Sequence, residues 1–327
     1  MPPPDDGGGA ASVHPSCPAS RGPHFVCIGP RKCATTWLAD QLKLHRDIWL
    51  PPVQELSYLR SGLSKFHGSP HLELRWDWWN LVKRTVRNKG LGAGRDRRFF
   101  EIARVLAEKP ESEIDLEGYR ALFDAAEGKL TGDISPAYAS LDEDRIRHVA
   151  PVLEKVRVFM IARDPVARFW SELSMHHRYR SFGDRDYGSL ETAQYFFHQR
   201  SRRMQHFPVE ILDRWETGLG AGRIKVFYFD DISRQPEATL KEIVAFIGGD
   251  YRKRIPVVRA GYNRKQGNEK VTVCSEAREW ARQAFQPALE ACAERFGRYG
   301  EAWLNAHRQP LRGAAGETGK VLAHPTD

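Results

Sequence analysis

The chain has 327 residues, of which 41% are hydrophobic and 28% charged, the ordinary balance of a folded globular protein. A formal net charge of +8 favours anionic ligands without naming one. Nucleic acid, acidic polysaccharide, a phosphorylated cofactor and a merely solvated basic surface all stay open. The five cysteines (Cys17, Cys27, Cys33, Cys274 and Cys292) are odd in number and irregularly spaced, which argues against a disulfide framework, and no CxxC pair or His/Cys cluster suggests a metal site.

Met1 to Pro23 is rich in Pro, Gly, Ala and Ser and lacks the apolar stretch of a secretory signal, so 1–23 reads as a disordered tail. No run of about 18 apolar residues follows, and the expectation is a reduced, cytoplasmic protein that does not span a membrane. The first strand is expected at Phe25-Val26-Cys27-Ile28, an apolar run broken by Gly29-Pro30. A helix follows over Ala34 to His45, with Trp37, Leu38, Leu42 and Leu44 on its apolar side. A short second strand over Ile48 to Leu50 ends at Pro51-Pro52.

From Arg60 to Glu127 the pattern is helical and irregular, with a flexible stretch from Asn88 to Gly94. Trp76, Trp78 and Trp79 in this region read as helix packing rather than a sugar cradle. Leu130 to Ile134 is a weak strand, and Val156 to Ala162 a strong one that leads into a helix from about Val166. Ile224 to Phe229 is another strong strand, followed by a helix from Pro236 to Ile247. Pro suits that first turn, where its missing N–H costs nothing. Strands alternating with helices imply right-handed crossovers and one α/β domain with a central parallel sheet flanked by helices. That domain is placed at 24–310, with 311–327 as a flexible tail. Ligands of such sheets bind at the carboxyl ends of the strands.

Two motifs fall at those ends. Gly29-Pro30-Arg31-Lys32-Cys33-Ala34-Thr35-Thr36-Trp37 lies between the first strand and the first helix. A helix N-terminus offers unpaired N–H groups and a positive dipole end, Thr35 and Thr36 add hydroxyls, and Lys32 adds a mobile charge. A capped basic loop or a P-loop kinase would use similar residues, although the kinase pattern sets its Lys directly before the hydroxyl residue that holds magnesium. Downstream, Arg163-Asp164-Pro165-Val166-Ala167-Arg168-Phe169-Trp170-Ser171 sets an Arg at a strand end and a Ser about 12 Å further along a helix axis. An Arg fork and a hydroxyl suit a phosphate monoester, and Asp164 suits an N-cap.

The first motif resembles the 5′-phosphosulfate loop of the sulfotransferases that use 3′-phosphoadenosine 5′-phosphosulfate (PAPS), Gly-x-x-Lys-x-Gly-Thr-Thr, with Ala34 where Gly is usual. Ala34 is expected to tolerate the start of the helix. The second is similar to that family's 3′-phosphate motif, Arg-Asp-Pro-x-x-Arg-x-x-Ser, at every fixed position. The resemblance extends from Phe25 to Gly267. It implies a P-loop-like fold, PAPS as sulfuryl donor without a required metal, and an acceptor hydroxyl or amine on a small molecule or carbohydrate. Neither nucleic acid nor membrane is an expected partner.

The resemblance also implies roles for single residues. Gly29, Arg31, Lys32, Cys33, Ala34, Thr35, Thr36 and Trp37 would hold the phosphosulfate, and Arg163 with Ser171 the 3′-phosphate. Arg264 and Lys265, in a loop similar to the family's late basic loop, would also touch the donor. Gln54-Glu55-Leu56-Ser57-Tyr58 looks like the segment that carries the base in the heparan-sulfate-type branch and its bacterial relatives, with Gln54 in place of Lys. Glu55 is then the catalytic base beside Lys32. Thr131-Gly132-Asp133-Ile134-Ser135-Pro136-Ala137-Tyr138 resembles a further segment of that branch, in which Asp133 and Ser135 would contact the acceptor. Asp133 would otherwise orient a basic neighbour or begin a turn with Ser135-Pro136. His176 and His177 are expected to be structural. The rival readings are a nucleotide kinase and a basic polyanion-binding protein.

Overall fold

The short apolar runs form parallel strands, and the central ones, Phe25–Cys27, Leu130–Ile134 and Arg157–Ala162, are buried on both faces, which removes the need for polar alternation there. The computed structural model describes residues 22–60, 82–87, 94–108, 114–201, 207–253 and 270–308. Apart from Gly22 and Pro23, both expected tails lie outside the described residues. So do the Trp76–Trp79 cluster, the stretch 88–93, and Arg264 and Lys265.

The strands are β1 (Phe25–Cys27), β2 (Ile48–Trp49), β3 (Leu130–Ile134), β4 (Arg157–Ala162) and β5 (Ile224–Tyr228). They form one sheet in the order β2-β3-β1-β4-β5, with every neighbouring pair parallel. Helices α1 (Thr35–Lys43), α2 (Arg95–Glu108), α3 (Leu116–Ala121), α4 (Glu143–Leu153), α5 (Pro165–Arg178) and α6 (Leu190–Ser201) precede α7 (Pro208–Leu219). Then come α8 (Phe229–Arg234), α9 (Pro236–Ile247), α10 (Ser275–Ala284), α11 (Gln286–Phe296) and α12 (Arg298–Arg308).

Side chains alternate across the sheet with period two. Phe25, Cys27, Phe159, Ile161 and Phe227 meet α1 and α9 on one face. Val26, Ile28, Val158, Met160 and Ala162 face the larger core built by α4, α5, α7 and the C-terminal helices. The chain leaves β1 toward β2, whereas it leaves β4 toward β5 on the opposite side. The loops after β1 and β4 therefore diverge, which opens a crevice at their carboxyl ends.

Element ends differ from the sequence reading for local reasons. Helix α1 stops at Lys43 because the His45 ring takes over the next turn: Nδ1 accepts from Asp47 N at 3.1 Å and Nε2 meets Asp250 O at 2.8 Å. Phe229 opens α8 rather than ending a strand, since Asp230 and Asp231 in the following turn suit a helix N-terminus.

In the loop directly after β1, Gly29 has no room for a side chain. Its φ is +97°, and a Cβ there would lie 2.5 Å from Pro136 Cα and 2.8 Å from Pro136 O, both backbone atoms. Gly29→Ala is expected to cost on the order of 3 kcal/mol through strain and overpacking. Thermal or urea denaturation checks this, and an unchanged midpoint would refute the close approach.

Candidate functional site

The loop from Gly29 to Ala34 is wound tightly. Lys32 and Ala34, neither of them glycine, stand in the left-handed region at φ 65° and 62°, on either side of Cys33. Ala34 thus departs from the helical start expected of it: it is the N-cap of α1 and offers no capping side chain. Successive residues turned this way let neighbouring N–H groups converge on an anion. Thr35 and Thr36 occupy the first helical turn. Cys33 and Trp37 are buried in the core beneath α1, so their backbone, not their side chains, remains for a ligand. Burial pushes the Cys33 thiol up to about 11.

The end of β4 reaches this loop directly. Arg163 Nη1 donates to Lys32 O at 2.6 Å, and its guanidinium lies 4.1 Å from the Phe229 ring centroid. Asp164 caps α5 as expected, with Oδ1 accepting from Val166 N at 2.8 Å and Ala167 N at 3.2 Å. Its other oxygen meets His307 Nε2 at 2.8 Å, a tie to α12 that no local pattern announces. Ser171 is half-buried on α5, and Arg168 is a core residue facing Glu172 at 3.4 Å.

Burial depresses the pKa of Lys32, and the charges of Arg178 and Arg163 depress it further, with Glu172 opposing. Arg178, at the last position of α5, is a site residue the motifs do not reveal. It lies two turns beyond Ser171 on the same helix, and a longer reading of the helical periodicity would have found it. Lys32 thus stands in the fields of Arg163 and Arg178, and the acid that opposes them, Glu172, faces Arg168. Such a cluster favours a multiply charged anion.

Glu55 faces the same loop from the segment after β2. Its pKa is raised by burial, against the pull of Arg31 and Lys32. Gln54 beside it is exposed. Glu55 and Ser57 both take left-handed backbone, at φ 56° and 52°. Asp133 and Ser135 lie behind this segment rather than at an open surface: Asp133 is 1% exposed and Ser135 fully buried. Asp133 Oδ1 accepts from Ser135 Oγ at 2.6 Å, while Oδ2 accepts from Tyr138 Oη at 2.6 Å and Tyr119 Oη at 3.1 Å. Burial outweighs these donors and pushes the Asp133 carboxyl up to about 6. His176 stacks on Phe182 at 4.9 Å, a packing role. Among the described residues no group of three or more His, Cys, Asp and Glu gathers as metal ligands, and no helix is long and apolar enough to cross a membrane.

The sequence profile described as "Sulfotransferase family" matches residues 23–253. No curated protein sequence matches the chain. Among solved structures, a sulfotransferase from Alicyclobacillus acidocaldarius aligns with TM-score 0.57 and 19% identity, over 86% of this chain and 98% of that one. Sulfotransferase STF9 from Mycobacterium avium aligns with TM-score 0.46 and 12% identity, over 86% and 78%. The sulfotransferase domain of the Synechococcus PCC 7002 olefin synthase gives 0.40 and 23%, over 71% and 76%. The first of these likenesses supports the fold.

Proposed function

The chain belongs to the sulfotransferase family, and from that premise we propose that it moves a sulfuryl group from PAPS to the hydroxyl or amine of a small-molecule or carbohydrate acceptor. One observation carries the reading. The two phosphate motifs, 131 residues apart in the chain, are joined at the crevice by the bond from Arg163 to Lys32 O.

The donor set suits a nucleotide with two separate anionic ends. Lys32 is only partly hydrated and stands in the repulsive fields of Arg178 and Arg163, so a phosphosulfate would offset that repulsion. Lys32, Thr35, Thr36 and the N-terminus of α1 would hold the 5′ end, and Arg163 with Ser171 the 3′-phosphate. Gly29, Arg31, Cys33, Ala34 and Trp37 shape that loop. Arg264 and Lys265 remain proposed contacts outside the described residues. Bound PAPS supplies the sulfuryl group that the acceptor takes up. Glu55 receives the acceptor's proton, and Lys32 offsets the negative charge that grows on the departing phosphate. The base beside Lys32 and the heparan-sulfate-type likeness of its segment belong to this proposal.

Adenosine 3′,5′-bisphosphate is expected to raise the melting temperature well above the effect of equimolar ATP, by preferential binding to the native state. Arg163→Ala should erase most of that preference, and transfer should persist in EDTA. Equal stabilisation by the two nucleotides, with transfer abolished by EDTA and restored by magnesium, would favour a nucleotide kinase instead.

A further inference from the structure

Two features of the Glu55 segment need an explanation that catalysis by Glu55 does not supply. Its backbone is held in the left-handed region at both Glu55 and Ser57, conformations that are strained for non-glycine residues and persist only where surroundings enforce them. Immediately behind it sits a carboxylate that is buried, ringed by hydroxyls and given no part in donor binding.

The hydrogen bonds connect the two. Ser57 N donates to Ser135 Oγ at 2.9 Å, and Leu59 N donates to Tyr138 Oη at 3.2 Å, bridging 78 and 79 residues of chain. Each of those hydroxyls in turn donates to Asp133, at 2.6 Å in both cases. The residue between them, Tyr58, stacks on Tyr119 with ring centroids 5.5 Å apart, and Tyr119 is the third hydroxyl donor to Asp133. Three consecutive residues after Leu56 are therefore held by the three groups that share one carboxylate.

Direction matters in this network. An ionised carboxylate only accepts, so it draws all three hydroxyl protons toward itself. The lone pairs of Ser135 Oγ and Tyr138 Oη are thereby turned outward, where Ser57 N–H and Leu59 N–H find them. A hydroxyl left to choose could instead point its proton at the loop and repel both N–H groups. Leu56 and Leu59 are buried on either side, which anchors the segment but leaves its rotation open. The polar contacts supply the missing constraint.

We propose that Asp133 is the positioning residue for Glu55: through Ser135 and Tyr138 it orders the 57–59 backbone, and so sets where the Glu55 carboxylate stands relative to Lys32. This deepens the proposed function and rests on it. The side chain of Asp133 does not meet the acceptor; it acts through the loop.

The test uses the full chain with Asp133→Asn, Ser135→Ala and Tyr138→Phe, alone and in the Glu55→Gln background. Asn presents an N–H₂ group to hydroxyls that must donate, so at least one has to turn away. Expected is bisphosphate affinity within about twofold of wild type by calorimetry, with single-turnover transfer down by about 10–100-fold and acceptor KM little changed, the usual result of a misplaced catalytic group. Amide hydrogen exchange at Ser57 and Leu59 should quicken in the same variants, independently of any donor or acceptor. In the Glu55→Gln background the additional loss of rate should vanish. Equal losses with and without Glu55, or unchanged exchange at Ser57 and Leu59, would overturn the positioning role. A wild-type rate for Glu55→Gln alone would instead reject Glu55 as base and leave the exchange result standing. If Asp133→Asn does not fold, Ser135→Ala and Tyr138→Phe decide, since each removes one link and leaves the carboxylate in place.

Discussion

Lys32→Ala is expected to weaken bisphosphate binding and slow sulfuryl transfer together, with a rate loss on the order of 10²–10³. Lys32 is the mobile cation of the β1 loop, and its ammonium stands in the field of Arg178 and Arg163. Removing it takes away one charge from the donor site and also relieves that repulsion. The binding loss should therefore be smaller than the rate loss. Arg163 and Arg178 still attract the bound anion, while the charge that develops during transfer loses the cation proposed to meet it. Position 32 keeps its left-handed backbone in the alanine variant, at a cost similar to that for lysine, so the melting temperature should change little. Calorimetry with the bisphosphate and single-turnover transfer separate the two effects. A variant that binds weakly yet transfers at the wild-type rate once saturated would reduce Lys32 to a binding residue.

Glu55→Gln is nearly isosteric and should leave bisphosphate affinity almost untouched while cutting turnover by about 10²–10⁴, the range for a positioned base. The pH dependence gives a second readout. Burial raises the Glu55 pKa, with Arg31 and Lys32 opposing. Only the ionised carboxylate can take a proton, so transfer should fall as pH drops through that raised pKa, and the glutamine variant should lose this acid limb. Asp133, held up to about 6 by burial, titrates nearby and could add a limb of its own. A limb that disappears in Glu55→Gln belongs to Glu55 or to Asp133 acting through it, and one that survives belongs to another group. Wild-type turnover in Glu55→Gln would remove it from the reaction.

Much of this protein is written locally in its chain. The run at Phe25 and the run from Val158 to Ala162 are apolar without alternation, and that pattern suits burial on both faces of a parallel sheet. Lys32, Thr35, Thr36 and Arg163 stand at strand ends, where loops meet helix N-termini, and Ser171 lies further along α5. The anion-binding role proposed for them is suggested by their position in a βα unit. The Asp164-Pro165 start of α5 is equally local, and the structure caps that helix as the dipeptide implies. Even the weak signal at Leu130–Ile134 became β3, because its neighbours β1 and β2 supply the burial its own residues do not advertise.

The tertiary structure decided what depends on distant partners. Periodicity reports whether a side chain is buried, not what it is buried against. Asp133 reads as a turn or acceptor residue until sheet order brings β3 beside β1 and stacks the 55–60 segment over Tyr119 and Tyr138. The field of Arg178 reaches Lys32 from the last position of α5, and His307 reaches Asp164 across 143 residues of chain. A polar group that burial has cut off from water, as Asp133 is, must find a partner inside the protein. The strand order β2-β3-β1-β4-β5, not the neighbouring sequence, determines which partner lies within reach.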